Sequence, residues 1–84
     1  MSYALAFAPD AQSQWLELDV RLQELALDEA DDMASHPPAT SSVFTRDLAL
    51  DEAGVRHYVF LRLAVERSRS TVTVIGVGHV SRPL

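Results

Sequence analysis

The run Val55–Val65 constrains the fold of this chain more than any other segment. Val55, His57, Val59, Leu61, Leu63 and Val65 alternate with Arg56, Tyr58, Phe60, Arg62 and Ala64, the two-residue period of a strand with one apolar and one cationic-aromatic face. Such a strand needs neighbouring strands for its backbone groups and a second layer to cover its apolar face.

The segment that can supply the cover lies upstream. Ala11 to Ser35 contains no glycine or proline, and Trp15, Leu18, Leu22, Leu25, Ala26, Ala30 and Met33 recur at spacings of three and four, which predicts helix. As one piece it would be about 38 Å long, too long for so small a domain. The break is placed near Leu18-Asp19, with Asp10 as N-cap of the first helix and Asp19 as N-cap of a second from about Val20 to Ser35. Glu29, Asp31 and Asp32 then oppose the macrodipole at its C-terminal end, with no local compensation in view. Trp15, in step with Leu18 and Leu22, reads as core.

Strands fill the rest. Tyr3, Leu5 and Phe7 alternate with alanines before Pro9 stops the run, and His36-Pro37-Pro38-Ala39-Thr40-Ser41-Ser42 is a loop by composition. Val43–Leu50 is a strand, Asp51-Glu52-Ala53-Gly54 a turn with Gly54 free to take positive φ, Glu66–Ser70 a polar hairpin loop, and Thr71–Val77 the last strand, rich in β-branched residues. The expected fold is α+β, in the order β-α-α-β-β-β: a helical hairpin packed on one face of a mostly antiparallel four-stranded sheet, one domain over residues 1–84. Phe44 and Arg46 share one face of their strand. If it is continuous with that of Arg56, Tyr58, Phe60 and Arg62, the sheet presents three arginines and three aromatic rings opposite the helices. Such a surface stacks bases and contacts phosphates, receives a protein partner, or is ordinary packing of arginine stems.

Composition removes several chemistries. All seven basic side chains are arginine and there is no cysteine, which excludes lysine Schiff bases, a lysine phosphate cradle, disulfides, thiol nucleophiles and cysteine metal sites. The formal net charge of -5 is uneven: residues 1–42 set eight carboxylates against Arg21, leaving -7, while the remainder is +2. An acidic average opposes nucleic acid, yet binding responds to the local patch. The longest apolar runs, at residues 1–9 and 72–77, are far short of the roughly 20 residues that span a bilayer, and no basic segment precedes the first. No membrane association is expected, and the cytoplasm is the expected location. His36, His57 and His79 lack metal-ligand spacing, so no metal or cofactor is expected. His57 falls on the apolar face, where a hydrogen-bonded core or rim histidine is expected. Gly76 and Gly78 have no helix after them, which favours close backbone packing over a phosphate loop.

The order and spacing resemble the RelE/ParE superfamily, toxins of bacterial type II toxin-antitoxin modules. The residues that carry the resemblance are Tyr3-Ala4-Leu5-Ala6-Phe7 with Asp10-Ala11 and Trp15-Leu16-Glu17-Leu18, the helix closing on His36-Pro37, Gly54-Val55-Arg56-His57-Tyr58, and Val72-Thr73-Val74-Ile75-Gly76-Val77-Gly78-His79. The resemblance implies a growth-inhibiting toxin of the kind linked to plasmid stabilisation, neutralised by a cognate antitoxin. Its RelE-like branch implies cleavage of ribosome-bound mRNA, the ribose 2'-hydroxyl attacking the adjacent phosphodiester with cationic groups stabilising the transition state. Its ParE-like branch implies DNA gyrase as target.

Carried over by position, Arg56 matches a family active-site arginine and His79 a strand-end position suited to acid/base work. Arg46, Tyr58, Arg62 and Arg82 are the implied RNA- or partner-binding residues. Val80 stands where RelE-like nucleases carry an arginine, and the sequence ends at Leu84 before a family segment bearing tyrosine or histidine. Together with the acidic balance, these departures point to weakened activity. The alternative is a non-toxic interaction module, homodimeric through an exposed sheet face or edge.

Overall fold

The computed structural model describes residues 2–84; Met1, first residue of the opening apolar run, lies outside them. The elements are β1 (Ala4–Phe7), α1 (Pro9–Leu16), α2 (Val20–Ser35), β2 (Ser42–Glu52), β3 (Val55–Glu66), a single 3₁₀ turn (Arg67–Arg69) and β4 (Thr71–Pro83). They form one sheet in the order β1-β4-β3-β2, with β1 parallel to β4 and the other pairs antiparallel. The α+β order and the mostly antiparallel sheet are as expected. The three long strands stretch the molecule to 43 × 22 × 17 Å.

The helix break falls where the sequence placed it. The Asp19 carboxylate accepts the Arg21 backbone N–H at 2.9 Å and caps α2. The indole N–H of Trp15 donates to the Gln23 carbonyl at 3.0 Å, while the Gln23 amide donates back to the Leu16 carbonyl at 3.2 Å. These two bonds hold the helical hairpin. Two local expectations are corrected. Asp10 is not the N-cap of α1: Pro9, with no N–H to lose and a preset φ, starts the helix after Ala8, and Asp10 sits in its first turn. Two of the three acids at the end of α2 do have partners, since Arg46 reaches Glu29 at 3.5 Å and His36 lies 3.4 Å from Asp32; Asp31 is in none of the ion pairs among the described residues.

Helices and sheet meet in a core of small and branched residues. Ala11, Leu18, Leu22, Ala26, Ala30, Met33 and Ala34 pack on Val59, Leu61, Leu63, Val65, Val72, Val74 and Val77. The row Ala26, Ala30 and Ala34, spaced by four along α2, carries little bulk and lets the helix backbone come close to the sheet.

The strands run further than composition suggested. β2 and β3 continue to a two-residue turn in which both Ala53 (φ 53°) and Gly54 (φ 78°) are left-handed, the conformation that matches hairpin twist. Ala53 holds this geometry against the steric cost that glycine escapes. β4 was expected to end at Val77 and continues to Pro83. Gly76 and Gly78 do not end it: they stay in the ladder opposite Arg62 and Phe60, whose side chains lie within 3.8 Å of where a Cβ would stand.

One irregularity sets the faces of β4. The ladder pairs Leu63 with Val74 and then Arg62 with Gly76, leaving Ile75 as an extra residue. By strict alternation from Val72 and Val74, His79 would face outward with Arg56, and Val80 and Arg82 would face the helices. The bulge at Ile75 reverses this, since a one-residue insertion exchanges the two faces.

Candidate functional site

The sheet face away from the helices is read most simply in rows across β2, β3 and β4. Paired registers give Asp51–Arg56–Arg82, Ala49–Tyr58–Val80, Asp47–Phe60–Gly78 and Thr45–Arg62–Gly76. Directly opposed residues point to the same side, so this face gathers three arginines, two aromatic rings and two carboxylates.

Its two ends differ electrostatically. Arg56 is clamped by Asp51, with Nε donating to Oδ1 at 2.7 Å and Nη2 to Oδ2 at 2.9 Å. This bidentate bond holds the Asp51 carboxyl below its usual range and raises Arg56, with the Tyr58 hydroxyl adding to the latter. Arg82 stands opposite Arg56, and Asp51 offsets the repulsion between the two cations. Among the described residues Arg62 and Arg82 have no ion pair. Between the ends, Asp47, Tyr58, Phe60, Val80 and Arg82 border a shallow depression of about 440 Å³. Phe60 and Val80 are 40% and 44% exposed there. The arrangement can take an anion at Arg62 or Arg82 and a flat or apolar group on Phe60 and Val80.

The residues singled out in the sequence are divided by the sheet. Arg56, Tyr58, Arg62 and Arg82 come together on the outward face. Arg46 and Phe44 do not join them, which corrects the expected continuous face: their partners are Leu61 and Leu63, both buried under the helices. Arg46 instead lies 5.7 Å from the Phe44 ring centroid and pairs with Glu29 of α2. His79 also lies on the helix side, paired in register with buried Val59. Arg56 and His79, matched to one reaction by resemblance, therefore project from opposite faces. His57 meets the expectation of a hydrogen-bonded rim histidine, its partner being His79 at 3.1 Å.

Asp47, Asp51 and Val80 are members of the face that sequence reasoning missed. A signal existed for Asp51: a two-residue turn at Ala53-Gly54 sets Glu52 opposite Val55 and Asp51 opposite Arg56. None existed for Val80, whose side depends on the bulge.

The architecture has close counterparts among solved structures. A free E. coli RelE toxin variant superposes with a TM-score of 0.68 at 22% identity over 93% of this chain and 83% of its own. The fold is that of the RelE toxins. The E. coli RelBE toxin-antitoxin complex matches with a TM-score of 0.68 at 21% identity, covering 92% of this chain and 95% of the other. The RelBE2 complex from Mycobacterium tuberculosis gives 0.64 at 18%, over 95% and 93%. No protein-family model and no curated protein matches the sequence, so the likeness is one of RelE fold. No helix among the described residues is long and apolar enough to cross a membrane.

Proposed function

We propose that this chain is the toxin of a type II toxin-antitoxin pair, acting in the cytoplasm of a bacterium, and that it acts by binding its target with weakened or no ribonuclease activity. The RelE fold over nearly the whole chain supports the toxin reading, and complexes of that fold with antitoxins support a cognate antitoxin as partner. The observation that carries the second half is the placement of Arg56 and His79. A phosphoryl-transfer site needs its acid/base group and its cation within hydrogen-bond reach of one phosphodiester. Here the sheet stands between them, and Arg56 is already neutralised by Asp51.

The target is ribosome-bound mRNA or DNA gyrase. The test is induced expression of the chain alone and then with the product of the adjacent small open reading frame. Growth arrest relieved by the neighbour, without new transcript ends in translating ribosomes, is the expected result; a supercoiling assay then examines gyrase. New ends that disappear in Arg56→Ala, with the fold of that variant intact by circular dichroism, would overturn the weakened-nuclease reading. The unpaired 11-residue edge of β2 favours one second reading, a non-toxic module that dimerises there. It predicts no arrest and a dimer in solution.

A further inference from the structure

The feature unused by this reading is the His57–His79 pair on the helix side of β3 and β4. Nδ1 of His57 and Nε2 of His79 are 3.1 Å apart, the ring planes are 24° from parallel and the centroids are 5.3 Å apart. That centroid distance is nearly the nitrogen gap plus the two ring radii, so the rings meet edge to edge along the N···N axis. The two lone-pair directions are therefore turned on each other. One nitrogen must carry a proton and the other must not. A shared metal ion is not accommodated between them, and no group of three or more His, Cys, Asp or Glu among the described residues could hold one.

We propose that His57 and His79 form a one-proton latch on the helix side of β3 and β4, added to the backbone ladder that already pairs these ends, and that it opens when both rings are charged. The neutral pair and the singly protonated pair both keep one N–H···N bond. A second proton leaves two donors and no acceptor, with two cations in contact, and the rings must part.

The charged groups around the pair come from every element packed on it. Asp19 of the helix turn and Glu52 of β2 share a depression with His57, and Glu17 after α1 shares another with His79. Asp19 is engaged in capping α2 and Glu52 pairs with Arg21 at 3.1 Å. Glu17 has no ion pair among the described residues, which leaves it free to receive a ring released from the latch. The consequence reaches the other face, because Tyr58 and Val80, next in sequence to these histidines, border the outward depression with Arg82.

The test is an NMR titration of the full chain, following both imidazole rings and the backbone amides of Tyr58, Val80 and Arg82. The expected result is that the two rings take up their protons in coupled rather than independent steps, with the outward-face amides moving only as the second ring becomes charged. In His57→Gln and in His79→Gln, each checked for folding by circular dichroism above the histidine range, the remaining ring gives a single step and the acid-linked amide movement is lost. Two independent single-site curves in the unaltered chain, or amide movement that persists in both variants, would overturn the latch.

Discussion

The two faces of the sheet are built from the same strands by opposite rules. The helix side is filled by branched residues, with Val59, Leu63, Val72 and Val74 fully buried. The outward side keeps Gly76 and Gly78, opposite Arg62 and Phe60, whose side chains lie at contact distance from where a Cβ would stand. One face therefore carries stability through burial, worth about 1.5–3 kcal/mol per large side chain. The other spends little of the core and holds chemical groups at fixed spacing. The contrast implies that substitutions on the first should change folding and those on the second should change binding.

The largest effect is expected from Leu63→Ala on the helix side. Leu63 lies in the C-terminal half of β3, an inner strand of the sheet, with no exposure beneath the helix layer, and truncation leaves a cavity costing about 2–5 kcal/mol. Against a total of about 4–13 kcal/mol for a domain of this size, that is a large fraction. Urea denaturation at neutral pH measures it. A loss below about 1 kcal/mol would mean that the helix layer collapses freely onto the sheet and that the face is not tightly packed.

A paired deletion tests what keeps the two faces apart. Removing Ile75 abolishes the bulge and leaves a regular ladder with Val77 still inward. Removing Val77 also regularises the ladder but places Gly76 inward instead. The second deletion should be less stable than the first by about 1.5–3 kcal/mol, the burial of one valine, read from the difference in denaturation midpoints. Equal stabilities would show that the bulge does not fix which side β4 residues take.

This bulge also explains how far the molecule was legible before its structure. Alternation in Val55–Val65, the capping residue Asp19 and the glycine- and proline-free stretch Ala11–Ser35 are local signals, and the elements they define formed as read. The division of Arg56 from His79 is not local. It depends on one unpaired residue, Ile75, which has the β-branched character of its neighbours and nothing to mark it. The inward turn of Phe44 and Arg46 depends on register across the Ala53-Gly54 turn, which spacing determines only once the turn is known to have two residues. The strand extension to Pro83 was hidden because Gly76 and Gly78 look like an ending until Arg62 and Phe60 are seen paired opposite them.

The smallest expected effect on stability is also the most informative about the outward face. Asp51 is held below its usual range by the bidentate bond from Arg56, so its folded value lies under that of the unfolded chain. Its stabilising contribution is then complete above the ordinary aspartate value of about 3.9 and fades as pH falls through the lower, folded value. An NMR titration of the Asp51 carboxyl should give a midpoint below that ordinary value. Asp51→Asn should lower the melting temperature slightly at neutral pH, and the difference from the unaltered chain should close in acid. The same substitution leaves Arg56 and Arg82 opposed without their carboxylate, so the row becomes a free pair of cations. If Asp51 restrains this face, Asp51→Asn binds a polyanion more tightly at low salt than the unaltered chain does. Unchanged binding, with the carboxyl titrating at its ordinary value, would mean that the clamp is loose in solution and that Arg56 is as free as Arg62.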